Sequence, residues 1–283
     1  MNKKLLVEKA FECRKSIIKM ATDGGCFIGA SLSCADILAY LYVDFLNINK
    51  DNLKDPKRDI LILSKGHDEP ALYSIFAEQG IIDKKRLKNH LKVNDDIYWH
   101  PNRNIPGVEF HSGSLGHGLS VGIGMAFNSR IDKIDNKIVV VVGDGELNEG
   151  SNWESFLIAN AYKLKNLIVV VDRNEFQANM KTEDLIPLEP LTKKLNNFGW
   201  DSFECDGHDF DEMDQVFSEI KNSSSERPKF VVMNTVRGKG LPSIEKDALR
   251  WFVNFSKEEV SQLLIELETG EKTKLTSTKI IAR

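Results

Sequence analysis

No apolar run in the 283-residue chain approaches the ~20 residues needed to cross a bilayer as a helix, so no membrane partner is expected. Single-sign charge is also missing. With 38 basic and 42 acidic residues and a net charge of −4, the chain carries no footprint for nucleic acid. The four cysteines, Cys13, Cys26, Cys34 and Cys205, form no Cys-x-x-Cys pair. That excludes a zinc knuckle or a redox dithiol and points to reduced, mostly buried thiols in a cytoplasmic protein. The first residues, MNKKLLVEKAFECRKS, alternate charged and apolar side chains, which reads as a helix and not as a signal peptide. Repeats and low-complexity tracts are absent. So is a Gly-x-Gly-x-x-Gly turn after the first strand, which argues against an ordinary dinucleotide-binding module.

What is present centres on residues 138–180, IVVVVGDGELNEGSNWESFLIANAYKLKNLIVVVDRNEFQANM. Residues 138–142 are apolar at every position, the pattern of a strand buried on both faces in a parallel sheet. Gly143 and Gly145 let the chain turn sharply and bring backbone N–H groups near a ligand, with the Asp144 carboxylate between them. Trp153, Phe156, Leu157, Ala161 and Leu164 recur at helical spacing and are expected to pack one face on the sheet. Residues 167–171 then read as the next parallel strand, and Asn174 follows its end. One βαβ unit thus brings a carboxylate and an amide oxygen to the sheet edge where open α/β sheets bind ligands. A hard cation such as Mg²⁺ takes oxygen ligands and shares others with a phosphate. Asp144, Asn174 and a backbone carbonyl near Phe176 supply such a set. Asp and Asn are common turn residues, but the pair brackets one unit whose helix carries Glu149 and Glu154. That favours a metal–diphosphate site.

The stretch GDGELNEGSNWE followed by KLKNLIVVVDRN resembles the thiamine-diphosphate motif of the transketolase family, and the similarity runs from about residue 10 to about residue 250. The chain looks like the separate N-terminal subunit of a transketolase split over two chains. The resemblance implies thiamine diphosphate with Mg²⁺ (or Ca²⁺ or Mn²⁺). It also implies an α/β fold with a mostly parallel sheet covered by helices on both faces. Residues 1–268 are expected to form the diphosphate-binding domain and 269–283 a polar, basic tail that is mobile or laid against a partner. A second subunit is implied, supplying the pyrimidine-binding domain and an activating glutamate in an α₂β₂ assembly. A small-molecule, sugar-type substrate is implied as well.

Further segments carry the resemblance in order. Ser64-Lys65-Gly66-His67 matches SKGH, whose histidine contacts the diphosphate; Asp68 replaces a small family residue. His100-Pro101 and residues 106–109 match GHP…PGVE, and His100 is implied to bond the substrate hydroxyl. Gly113, Ser114, Leu115 and Gly116 match TGSLGQG. The glycines at 113, 116, 118, 122 and 124 cost roughly 1 kcal/mol each in a helix relative to alanine and so imply close approach to a ligand or a helix. With Gly143, Asp144, Gly145, Glu146 and Asn174 these residues make the implied cofactor set. His67, His100, Glu149 and Glu154 make the implied catalytic set. Residues 236–240 match TVKGKG. Two family histidines are replaced by Phe27 and Phe252. An imidazole can donate, accept and carry a proton, whereas a phenyl ring does none of these.

The rest of the chain is read locally. Residues 3–21 form a helix, and Ser33 caps a second over CADILAYLYVDFL. Residues 58–63 are a short strand, and Pro70 opens a helix. Residues 181–189 are a polar excursion, followed by a helix that closes at Gly199 and an edge strand at 202–206. Asp209-x-x-Glu212 and Ser256-x-x-Glu259 are capping boxes. Residues 229–235 are the last buried strand. His90 and His111 read as surface or loop residues, His117 as packing or interface, and His208 as structural. Two functional classes remain: a catalytic transketolase-like subunit, and a non-catalytic diphosphate-binding or regulatory subunit suggested by the two lost histidines. Retention of His67, His100, Glu149 and Glu154 favours catalysis.

Overall fold

The two valine-rich runs lie side by side within a parallel sheet in the computed structural model, which describes residues 1–279. In chain order the strands are β1 (Ile60–Leu63), β2 (Ile138–Gly143), β3 (Leu167–Arg173), the two-residue β4 (Phe176–Gln177) and β5 (Met180–Lys181), β6 (Asp201–Asp206) and β7 (Lys229–Asn234). The sheet order is β1-β2-β3-β7-β6 with every pairing parallel, while β4 and β5 form a small antiparallel hairpin. Gly143 pairs with Asp172. The Gly-Asp-Gly turn and the Asp172-Arg173-Asn174 turn therefore leave the sheet at the same edge.

The helices are α1 (Lys3–Met20), α2 (Ile28–Ser33), α3 (Ala35–Tyr40), α4 (Glu69–Glu78), α5 (Gly118–Ile131), α6 (Gly150–Ala161), α7 (Thr182–Leu185), α8 (Leu191–Asn197), α9 (Phe210–Asn222) and α10 (Lys257–Thr269). They cover both faces of the sheet. Val139, Val141, Ile168 and Val170 join one core with α1 to α4, α9 and α10. Val140, Val142, Val169 and Val171 join the other with α5, α6 and α8. Alternate residues of each strand thus enter opposite cores, which is why the runs are apolar without interruption. In the second core Phe156 meets Trp200 and Phe230 edge-on at 5.2 and 5.6 Å, and Trp200 Nε1 donates to the Phe156 carbonyl at 2.9 Å. Part of the glycine density serves packing: a Cβ on Gly122 would stand 2.5 Å from Val140 Cγ2, so its absence lets α5 lie close on the sheet.

Several local readings need correction. Ser33 does not cap a helix; it ends α2, and its hydroxyl donates to the Ala30 carbonyl and to Asp172. The second expected helix divides into α3 and a π-helical turn at Leu41–Phe45, and α2 forms in the stretch before it that reads as a loop. The polar excursion at 181–189 contains α7 and follows the β4–β5 hairpin. Asp209 caps α9, but Glu212 accepts from the Asp206 N–H and does not return to Asp209, so only half of that capping box forms. The Ser256–Glu259 box is complete. On α6, Phe156 is buried but Leu157 is 56% exposed, so the apolar stripe is wider than the face that meets the sheet. The tail is not free where it is described: Glu259 accepts from the N–H groups of Thr276 and Ser277, and Glu266 from that of Thr273. Residues 280–283 lie outside the described residues. All four cysteines are buried and unpaired in disulfides. Among the described residues no helix is long and apolar enough to cross a membrane.

His90 is the clearest departure, since it belongs to a loop yet is only 6% exposed. Its Nε2 faces Glu69 Oε2 at 3.7 Å, and burial lowers its pKa to about 4. The unfolded chain takes up this proton near pH 6.5 and the folded chain only near 4, so folding loses stability as the pH falls through that window. Between pH 7 and 5 the native chain should lose on the order of 2 kcal/mol more than His90→Leu does. Urea denaturation of both proteins at the two pH values measures this; parallel losses would contradict it.

Candidate functional site

The C-terminal ends of β1, β2, β3 and β7 surround one cavity of ≈ 320 Å³. The organising group is Asp172, the next-to-last residue of β3, fully buried. Its carboxylate accepts from Lys65 Nζ at the end of β1, from Thr235 Oγ1 after β7, from Ser33 Oγ of α2 at 2.6 Å, and from Asn174 Nδ2 at 3.1 Å. Burial works against its charge, but the Lys65 ammonium and the two hydroxyls outweigh it and hold the carboxyl below its usual range. Lys65 is itself buried between Asp172 and Asp68, 2.7 Å from the latter. Burial disfavours its charge too, yet the two carboxylates drive its pKa well up.

Asp172 also orients Asn174. Because the amide Nδ2 is held by Asp172 and Ser33, Oδ1 turns the other way, where it accepts from the Phe176 N–H at 3.1 Å and keeps one lone pair. Asp144 lines the same cavity. Its Oδ1 accepts from the Gly145 N–H, and its Oδ2 accepts from Arg173 Nη1 at 3.0 Å and from the Glu175 N–H at 2.6 Å. One carboxylate lone pair remains. Burial pushes Asp144 up to about 6 against the pull of Arg173, so a further cation beside it is favourable. Among the described residues no three His, Cys, Asp or Glu side chains gather as a metal site. The oxygen donors here suit a hard cation that draws its other ligands from an anion.

The walls are cationic on one side and aromatic on another. Arg237, in the loop after β7, is 2% exposed; its Nη1 donates to the Ala178 carbonyl at 2.6 Å, and its guanidinium lies 5.2 Å from the Phe176 ring centroid. Its Nε and Nη2 have no hydrogen-bond partner among the described residues. Burial lowers its pKa to about 10 although Asp68, Asp144 and Asp172 pull the other way. It remains a cation at neutral pH, with two unspent donors. Phe27 packs edge-on against His67 (5.6 Å), Trp251 (5.1 Å) and Phe252 (5.1 Å), and Trp99 stands 6.1 Å from Phe252. His67 is held neutral, its pKa lowered by burial to about 4, and burial lowers His100 as well. His100 lies against Gly113, where φ is +149° and a Cβ would come 2.9 Å from the imidazole Cδ2.

Of the residues expected from sequence, His67, His100, Gly113, Leu115, Gly143, Asp144, Gly145, Glu146, Asn174 and Phe176 line this cavity. Ser114, Glu149 and Glu154 do not line it; all three are solvent-exposed, and the two glutamates flank or lie on α6. Glu146 lines the cavity, but its carboxylate is occupied by the structure. It accepts from Ser64 Oγ, from the Gly116 N–H at 2.8 Å and from the Gly143 N–H at 3.1 Å, joining β1, the α5 approach and β2. Asp68, unplaced from sequence, pairs with Lys65 and presents Oδ1 to His67 Nε2 at 3.6 Å. Sequence reading assigned no site role to Lys65, Asp172, Arg237 or Trp251. The first two stood inside matched motifs, and the Arg237 position carries lysine in TVKGKG. A cation kept there was the available signal.

With this geometry in view, residues 15–274 match the family model described as "Transketolase, thiamine diphosphate binding domain". The chain is 35% identical over 244 residues to one of the subunits named for apulose-4-phosphate transketolase in Phocaeicola vulgatus, covering 86% of this chain and 83% of that protein. It is 38% identical over 243 residues to the protein of the same name from Actinobacillus succinogenes, covering 85% and 87%. It is 34% identical over 242 residues to 6-deoxy-6-sulfo-D-fructose transketolase subunit SqwG of a Clostridium species, covering 85% and 88%. Among solved structures, transketolase from Campylobacter jejuni superposes with a TM-score of 0.85 at 27% identity, over 96% of this chain but only 44% of that one.

Proposed function

The chain belongs to the transketolase family, and from that membership we propose that it is the diphosphate-binding subunit of a two-chain transketolase that moves a two-carbon unit between sugar-type substrates. The observation that carries this reading is the convergence on one cavity of Asp144, Asn174, His67 and the buried cation Arg237. Thiamine diphosphate with Mg²⁺ suits these groups. Asp144 and Asn174 offer one oxygen lone pair each to the cation, and the Phe176 carbonyl is the third protein oxygen in this reading. Arg237 and His67 face the diphosphate charge.

When bound, the cofactor supplies the electron sink that such carbon–carbon chemistry needs. The chain supplies orientation and proton handling. His67 and His100, neutral near pH 7, can each accept or donate a hydrogen bond without adding a fixed charge. The rings of Phe27 and Trp251 line the cavity beside them, and Phe252 packs behind Phe27.

Relatives of similar length that are named as single subunits of a transketolase support a partner chain. In this reading the partner brings the pyrimidine-binding domain and an activating glutamate, in an α₂β₂ assembly. Leu157, Ile158 and Tyr162 of α6 and its end, with Phe127 and Ile131 of α5, are exposed apolar side chains on neighbouring helices. A face of that kind suits contact between chains, and Glu154 on the same helix is assigned to it.

The aromatic wall bears on substrate. A ring-lined channel leaves fewer polar groups to satisfy and favours a less phosphorylated, deoxygenated or otherwise modified partner, or a pyruvate-derived acetyl unit. One relative is named for 6-deoxy-6-sulfo-D-fructose, a deoxy sugar by that name.

Three outcomes are expected. Asp144→Ala and Asn174→Ala should each abolish Mg²⁺-dependent thiamine diphosphate binding in calorimetry of the assembled enzyme while leaving the fold intact by circular dichroism; unchanged affinity sinks the cation assignment. The purified chain alone should turn over no substrate and should gain activity when co-expressed with its partner; full turnover by the single chain contradicts the two-chain reading. With xylulose 5-phosphate and ribose 5-phosphate the complex should be slow, and Phe27→His/Phe252→His should raise its rate. Turnover of the unaltered complex at roughly 1–10³ s⁻¹ would show the specificity argument to be wrong.

A further inference from the structure

Behind the arginine, and outside the cavity that it lines, lies a buried ion network. Asp36 of α3 is 5% exposed. It accepts from Arg14 Nη1 at 2.9 Å and from Arg14 Nη2, and His208 Nδ1 lies 2.6 Å from its Oδ2. The Val236 N–H donates to His208 Nε2 at 2.8 Å. That bond requires Nε2 to be the acceptor, so the imidazole proton is assigned to Nδ1 and donated to Asp36. The remaining Arg14 donor, Nε, reaches the Lys239 carbonyl at 3.1 Å. Burial opposes the charge on Asp36, yet Arg14 and His208 hold its pKa at about 2.

The two arms therefore grip the main chain on either side of Arg237, one at Val236 and one at Lys239. Between them the Gly238 N–H donates to the Gly29 carbonyl at 2.9 Å, and the Lys246 N–H to the Arg237 carbonyl at 3.0 Å. The guanidinium passes over Gly29, where a Cβ would stand 2.8 Å from Nε. The loop backbone is thus fixed from several sides, while two of the arginine's own donors are spent on nothing among the described residues.

We infer that Asp36, acting through Arg14 and His208, is a positioning device that aims Arg237 at the diphosphate. None of the three touches the cavity; they act through the loop. The inference rests on the proposed anion-binding role of Arg237, and the experiment separates the two.

The probe is inorganic pyrophosphate with Mg²⁺, titrated calorimetrically into the full chain, with thiamine diphosphate titrated into the co-purified complex. His208→Asn keeps a donor near Asp36 but withdraws the acceptor from Val236. His208→Gln places an oxygen where Nε2 was and gives up the bond to Asp36. His208→Asn should weaken binding by about tenfold and His208→Gln by less, and both effects should shrink to below about twofold in an Arg237→Ala background. Arg14→Lys, which keeps a charge beside Asp36 but loses the Lys239 contact, should behave in the same background-dependent way and stands in if a His208 variant does not fold. Equal losses in both backgrounds, or no loss in either, overturn the inference. Undiminished pyrophosphate binding by Arg237→Ala alone overturns the anion-binding role beneath it.

Discussion

A single buried carboxylate holds the site together. Asp172 is the next-to-last residue of the central strand, without exposure to water, and it stays charged because Lys65, Ser33, Thr235 and Asn174 each direct a donor at it. Those donors come from four separate parts of the chain: the end of β1, α2, the segment after β7, and the turn after β3 itself. Removing Lys65 would leave the carboxylate uncompensated, and removing a neutral donor would leave it a hydrogen bond short. The arrangement therefore closes as a unit. Its by-product is chemical: with the Asn174 amide nitrogen committed to Asp172 and Ser33, the oxygen is left to accept from the Phe176 N–H with one lone pair to spare.

Glu146 plays the complementary part on the other side of β2. Its carboxylate binds two backbone N–H groups and a hydroxyl, bringing the glycine-rich approach to α5 against the Gly-Asp-Gly turn. Polar groups at this sheet edge thus divide into two kinds. Asp172, with four donors on its carboxylate, is saturated, and Glu146 spends its three bonds on tying β1, β2 and the approach to α5 together. Asp144, Asn174 and Arg237 keep lone pairs or donors in reserve, and all three residues line one cavity. Saturated groups confer rigidity, and unsaturated ones can be satisfied by a ligand.

The aromatic side of the cavity adds shape without charge. Phe27 is the hub, touching His67, Trp251 and Phe252, and it brings the α2 approach to the segment before α10. Cys26 and Val253 bridge as backbone partners beneath it, which fixes the two phenylalanines relative to each other. Pairs of rings at these separations prefer edge-on contact, and each is worth about 0.5–1.5 kcal/mol beyond its buried area.

Local pattern alone determined the buried parallel strands β2 and β3, the Gly-Asp-Gly turn between β2 and α6, and the complete cap at Ser256. Each depends on residue spacing of a few positions and on strand or helix period, which a linear chain displays directly. Tertiary structure decided where side chains point and what they meet. Ser33 looked like a cap and proved to be a donor to Asp172, 139 residues away. Glu149 and Glu154 looked catalytic from the motif they follow, but α6 turns them outward from the cavity. His90 read as a surface or loop residue because no neighbouring motif supported it, yet the loop folds it against Glu69. Arg237 carried only the signal of a retained cation. Its burial and its two free donors follow from how the loop after β7 is held over Gly29. Whether a polar side chain is spent or available depends on partners brought from distant positions, and that information does not exist until the chain has folded.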